Sequence, residues 1–205
     1  MSEFHFYEPR LGHGLPHDPF KAIVAPRPIG WISSVGPEGG TNLAPYSFFN
    51  AFCDTPPIIG FSSVGRKDSQ RNIELSGEFV ANLATKKHAE AMNRSSAPVP
   101  PHVNEMELVG LEAAPSRLVK PPRVADAPAA LECKLLTMLP LNDLDGRPTG
   151  NTLILGQVVG VHIDKAFLKD GLFDMTLART IARCGYRGDY AEVTSLFDML
   201  RPGPG

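Results

Sequence analysis

The sequence predicts a mainly β fold, a small barrel with short helical insertions, and three observations carry that prediction. Glycine (19) and proline (20) together approach a fifth of the 205 residues, which implies many short elements joined by tight turns. About six or seven apolar runs read as strands, mostly linked as hairpins, against three short helical stretches. The order of these runs has no repeating strand–helix–strand pattern, so a closed antiparallel sheet fits better than a parallel one. A composition of 42% hydrophobic and 20% charged residues suits one compact core.

Residues 1–20 carry Pro9, Gly12, Gly14, Pro16 and Pro19 without periodicity and read as an extended arm. The folded domain is expected over 21–195, with a tail over 196–205. A β pattern is expected from Ile23. Pro28–Val35 is bounded by proline and by the turn Gly36-Pro-Glu-Gly-Gly40, and Thr41–Phe49 follows it as the second arm of a hairpin. Thr55-Pro-Pro57 introduces Ile58–Ser63, a short apolar strand ending in two hydroxyls. Arg66–Ser76 reads as a helix with Ile73 toward the core and Gly77 as its stop. Glu78–Ala84 is a strand, Lys87–Arg94 a short helix and Ser95–Val103 a proline-rich loop. Leu131–Leu139 and Thr152–Ile163 are the longest strands, paired through the polar turn Asn142–Gly150. The second is apolar on both faces except at Gln157 and His162, which predicts a central position. Thr176–Arg183 is expected as a last helix.

Composition excludes several function classes. A formal net charge of −2 offers no basic face for nucleic acid. No run approaches the roughly 18–20 apolar residues of a membrane span. The N-terminus lacks the basic-then-apolar layout of a signal peptide, so a cytoplasmic protein is expected. Cys53, Cys133 and Cys184, far apart and odd in number, suit neither a disulfide framework nor a zinc cluster. His5, His13, His17, His88 and His102 lack metal-ligand spacing, so no metal is expected. No nucleophile elbow or glycine-rich phosphate loop is present. His162, beside Asp164, reads as a strand-end histidine or as a proton relay, and Cys53 as a buried or a redox-sensitive thiol.

Chemistry concentrates between Arg27 and Asn72. Ser62 and Ser63 end a strand just before Arg66-Lys-Asp-Ser69 opens a helix. Hydroxyls, a cation and helical N–H groups together suit a phosphate, while the same residues also suit a capped, solvated helix start. Gly40–Ser47 could edge a flat ring, because Pro45 interrupts regular pairing and frees neighbouring amides. Tyr46, Phe48 and Phe49 equally suit the core.

The order of these features resembles a known family. PRPIGWISSVGPEGGTNLAPYSFFNAFCDTPPIIGFSS, then RKDSQRNIELSGEFVANL, then LGQVVGVHID and ARCGYRGDY, is similar to the flavin reductase-like, FMN-binding split-barrel family. Within it, the Arg-Pro-Ile-x-Trp strand resembles the flavoredoxin-type branch. The resemblance covers about residues 20–190 and implies a homodimer of split barrels with FMN near the subunit interface. It implies ring contacts from Asn42, Leu43, Ala44, Pro45, Tyr46 and Ser47, largely through the main chain. It implies phosphate and ribityl contacts from Ser62, Ser63, Lys67, Asp68 and Ser69, with Asn72 supporting the helix start. Arg27 and Trp31 match the branch signature and are expected near the flavin; Arg183 and Tyr190 match a C-terminal Arg-and-Tyr pattern that closes the site. Many members carry Gly-x-His before the long late strand, where the histidine helps seat nicotinamide; this chain has Gly150-Asn-Thr152. The implied activity is an FMN-dependent oxidoreductase taking hydride from NADH or NADPH. Flavin-based chemistry of this kind requires no catalytic side-chain dyad. The alternative is an FMN-carrying electron-transfer protein without nicotinamide activity.

Overall fold

A computed structural model describes residues 3–203; the outermost residues of the expected arm and tail, 1–2 and 204–205, lie outside them. The described chain opens with a 3-10 turn at Pro9–Leu11 and a single helical turn, α1 (Phe20–Ile23), which ends at the residue from which a β pattern is expected. Extended structure starts at β1 (Arg27–Pro28) and runs through β2 (Gly30–Val35), β3 (Thr41–Tyr46), β4 (Phe49–Asp54) and β5 (Pro57–Val64). The β2–β3 hairpin forms as predicted, but its second arm ends at Tyr46, and Phe49–Asp54 is a separate strand. Helix α2 (Asp68–Ser76) leads to β6 (Glu78–Leu83), and a 3-10 turn at Lys86–His88 runs into α3 (Ala89–Arg94). α4 (Glu105–Leu108) follows the proline-rich loop, and β7 (Ala113–Ala114) pairs with β8 (Arg123–Val124). The long hairpin of β9 (Ala129–Asn142) and β10 (Pro148–Ile163) comes next, then the small β11 (Leu168–Lys169) and β12 (Leu172–Phe173) ladder. The described chain closes with α5 (Met175–Ala178), β13 (Ile181–Arg183) and β14 (Tyr190–Glu192).

Seven strands form one antiparallel sheet in the order β3-β2-β6-β9-β10-β5-β4. β10 lies between β9 and β5, the central place its apolar faces predict. The outer strands β3 and β4 are consecutive in sequence, and the Ser62 N–H of β5 extends the β4–β5 ladder by donating to Phe48 O at 2.8 Å. The fold is that of a split barrel.

Period-2 alternation sorts the hairpin residues between two cores. Ile32, Tyr46, Phe61, Ile73, Phe79 and Ile154 pack together in one buried cluster. Trp31 and Leu43, on the opposite face, pack with Met92 of α3 and Met106 of α4. Gly77 ends α2 in the left-handed conformation (φ 70°), as the expected stop residue does.

The expected helix over Thr176–Arg183 is corrected to one turn followed by a strand. Asp174 caps the turn by accepting the N–H groups of Thr176 and Leu177 at 3.0 and 2.9 Å. Arg179 then turns left-handed (φ 52°), and Ile181–Arg183 pairs with both β1 and β14. Two available strand partners outweigh the modest helix propensity of this segment.

Candidate functional site

A cavity of about 500 Å³ opens between the edge strand β3, the end of β5 and the start of α2. Asn42, Ala44, Pro45, Tyr46, Ser47, Ser62, Lys67, Asp68 and Ser69 line it, so the structure brings together most of the residues expected to hold a ring and a phosphate. β3 has β2 on one side only, so its other edge offers main-chain groups along the cavity, and Pro45 is tolerated there for the same reason.

The phosphate corner is built by the meeting of β5 and α2. Lys67 occupies the N-cap position of α2 and no side chain caps the helix, leaving its first N–H groups in need of an acceptor. The Lys67 ammonium is exposed and has no ion pair among the described residues, whereas Asp68 is paired with Arg71 at 2.7 Å. Ser69 is buried, and its hydroxyl accepts from Asn42 Nδ2 at 2.8 Å, fastening the ring-side strand to the phosphate-side helix. The Ser63 hydroxyl donates to Gly65 O at 3.2 Å and shapes the turn beneath Lys67. Burial pushes the Tyr46 phenol up from its ordinary range, so it stays protonated at the cavity wall.

Four expected contacts stand behind the wall. Trp31 is fully buried and donates from Nε1 to Ser95 Oγ at 2.9 Å. Leu43 is fully buried on the opposite face of β3 from Asn42, Ala44 and Tyr46, and its N–H donates to Glu105 Oε2 at 3.0 Å. Ser63 is enclosed, and Asn72 donates to Ser34 Oγ at 3.3 Å, tying α2 to β2. These four support the residues that line the cavity.

Glu105 is a cavity-lining group that the sequence did not single out. It is 5% exposed, and desolvation raises its carboxyl above the usual range, against the lowering effect of the Leu43 N–H bond. Its only sequence signal is Asn104, whose side chain caps α4 by accepting the Met106 N–H at 3.0 Å; the partner Leu43 lies 62 positions away.

Arg27, Arg183 and Tyr190 lie beyond Phe48, in a second cavity of about 450 Å³ that shares Pro45, Ser47, Phe48 and Ser96 with the first. The Arg27 guanidinium lies 5.8 Å from the Phe48 ring centroid, and that of Arg183 lies 4.7 Å from the Tyr190 ring centroid. Arg27 and Arg183 are direct cross-strand partners in the β1–β13 pair.

The remaining candidates lie elsewhere. His162 is bonded through Nε2 to the fully buried Glu132 and lines neither of the two cavities above. Burial would raise the Glu132 carboxyl, but bonds from His162 and from the N–H groups of Arg117 and Leu118 hold it below its ordinary value. Cys53 is half-buried on β4, and burial pushes the Cys133 thiol far up, which makes it inert. Among the described residues no cluster of His, Cys, Asp and Glu suits a metal, and no helix is long and apolar enough to cross a membrane.

The fold has counterparts in known proteins. An uncharacterized protein of Halalkalibacterium halodurans is 36% identical over 185 residues, covering 87% of each chain. The crystal structure of nitrilotriacetate monooxygenase component B from Bacillus cereus superposes with a TM-score of 0.86 at 30% identity, covering 97% of this chain and 100% of that one. The 2-nitrobenzoate 2-nitroreductase of Pseudomonas fluorescens follows with a TM-score of 0.78 at 28% identity, covering 89% of this chain and 88% of that one. The sequence profile described as the flavin reductase like domain matches residues 24–179, and the chain belongs to that flavin-binding redox family.

Proposed function

We propose that this protein is a cytoplasmic, homodimeric FMN-dependent oxidoreductase that passes electrons from NADH or NADPH to flavin or to a downstream acceptor. The observation that carries the reading is the uncapped start of α2, where Lys67, without an ion pair among the described residues, stands beside Ser62 and Ser69 at one end of a cavity edged by β3. That donor set fits a phosphomonoester. Helical N–H groups supply directed bonds, Lys67 supplies charge, and the hydroxyls complete the shell. The exposed edge of β3, with Ala44, Pro45 and Ser47, fits the rim of a planar heterocycle.

FMN, when bound, supplies the hydride and single-electron chemistry. The chain's own residues do the positioning. Asn42 holds β3 and α2 in register through Ser69, so the ring-binding edge and the phosphate corner keep a fixed separation. Main-chain N–H groups just past β3, such as that of Ser47, would offset negative charge growing at the ring edge, since the Leu43 N–H is taken by Glu105 and Pro45 has none. Tyr46 and Phe48 form apolar wall that keeps water from that side of the cleft. No side-chain acid or base is required of the protein.

The experiment is anaerobic mixing of the FMN-loaded protein with NADH or NADPH while the visible flavin absorbance is followed. Bleaching within seconds to minutes is expected, and an unchanged spectrum overturns the nicotinamide-dependent reading. One observation favours the second reading, an electron-transfer protein reduced by a partner. In place of Gly-x-His the chain has Gly150-Asn-Thr152, and this triplet lies near the start of β10 with its polar groups already bonded within the chain. Gly150 O accepts the Gly65 N–H at 2.8 Å, and the Asn151 N–H donates to Thr149 Oγ1 at 3.2 Å.

A further inference from the structure

The second cavity carries a charge arrangement that flavin binding at the Lys67 corner leaves unexplained. Lys21, Arg27, Arg183 and Arg187 all line it, and no carboxylate does. None of the four has an ion pair among the described residues, in a chain whose formal net charge is −2. Arg27 and Arg183 face each other across the β1–β13 pair, a like-charge placement that destabilises a ladder unless something neutralises it. Arg27 is 7% exposed; its Nη1 donates to the carbonyls of Lys21 and Val24, and its Nε is enclosed without a partner. A buried guanidinium with unmet donors is costly, and an oxyanion meets that need with short, charge-assisted bonds.

The surroundings hold the cluster in place. α1 packs so closely on the loop after β13 that a Cβ added to Gly185 would lie 2.3 Å from Ala22 Cβ. That contact brings Lys21 and the turn carrying Arg27 against the loop carrying Arg187. The cavity joins the β3 cleft through Pro45, Ser47, Phe48 and Ser96, so one molecule can occupy this cavity and reach the ring-binding edge.

We infer that this four-cation cavity seats the anionic group, phosphate or carboxylate, of the molecule that exchanges electrons with the flavin. The inference rests on the FMN reading for the identity of that partner and on the arginine cluster alone for its charge. It assigns Arg27 and Arg183 to the second ligand rather than to FMN.

The test is calorimetric titration of the FMN-loaded protein with adenosine 5′-diphosphate and with benzoate, each against its neutral counterpart, adenosine and benzamide. At least one anion is expected to bind more tightly than its neutral counterpart. Preference for the diphosphate identifies a dinucleotide's pyrophosphate as the source of the charge, and preference for benzoate identifies a carboxylate substrate. The Arg183→Gln/Arg187→Gln double variant is expected to weaken that binding by about tenfold or more, with FMN affinity within about threefold of the parent. Arg183→Lys, which keeps the charge, is expected to recover part of the loss. Anions that bind no better than neutral molecules overturn the inference. So does a double variant that loses FMN affinity in step, since the arginines would then hold the flavin's own phosphate. A protein that takes up no FMN yet binds anions through these arginines supports the anion site and overturns the flavin reading instead.

Discussion

At the scale of single residues, Lys67 and Glu105 make opposite demands on the cleft. Lys67 is exposed, lacks an ion pair among the described residues and sits where α2 has no side-chain cap, so its charge is available to a ligand. Replacing Lys67 with Ala is expected to weaken FMN binding by about 1.5–3 kcal/mol, roughly ten- to a hundredfold, read from quenching of flavin fluorescence. Unchanged affinity would move the phosphate away from this corner. Glu105 is enclosed, and burial raises its carboxyl above the ordinary range. A carboxyl raised in the folded state keeps a proton that the unfolded chain has released. Its contribution to stability is therefore greatest at low pH and declines as pH rises from the ordinary glutamate range through the raised value. Glu105→Gln keeps an acceptor for the Leu43 N–H and removes the charge, so it is expected to flatten that decline in a series of melting curves. A variant as pH-sensitive as the parent over that range would show that Glu105 is not the group responsible. Lys67 was legible in the sequence because serines, a cation and a helix start are neighbours along the chain. Glu105 was not, because its meaning depends on a bond to an amide 62 positions away.

At the scale of elements, legibility followed the source of stability. The β2–β3 hairpin and the β9–β10 pair were readable because alternating or continuous apolar runs flank turn residues, and both formed in the expected order. The strand Phe49–Asp54 was missed because it lies at the sheet's edge and is largely exposed, so it lacks a buried face to print a pattern. The helix expected over Thr176–Arg183 failed for a different reason. Its first turn is capped by Asp174, yet the remainder earns more from pairing with β1 and β14 than from continuing as helix. That pairing sets Arg183 opposite Arg27, so the part of the site least visible in the sequence is made by two short strands far apart along it. His162 shows the same limit. Alone it reads as a strand end, but on β10 it reaches Glu132 of β9, which also takes the N–H groups of Arg117 and Leu118 and pins the preceding loop to the sheet.

At the scale of the whole molecule, the long hairpin is the feature one chain leaves unfinished. β6 covers β9 only over Ala130–Lys134, and the Leu135 N–H makes a last bond to Gly77 O at 2.8 Å. Beyond that point β9 has β10 on one side and an open edge on the other, while Leu136, Leu139, Leu141 and Leu144 are exposed. An open edge with an apolar row favours association, and a second copy of the chain can cover both at once. Light scattering in solution is expected to give twice the mass of one chain, and a monomer at micromolar concentration would remove the two-chain site from the proposal. Replacing Leu139 and Leu141 together with Lys adds charge to the hairpin surface without touching either cavity, and it is expected to shift the protein toward monomer. If FMN is held where two chains meet, that variant also loses FMN affinity in proportion to its monomer fraction. Retention of full affinity by a clean monomer would show that each chain builds its flavin site alone, leaving the Lys67 corner and the arginine cavity as parts of a single subunit.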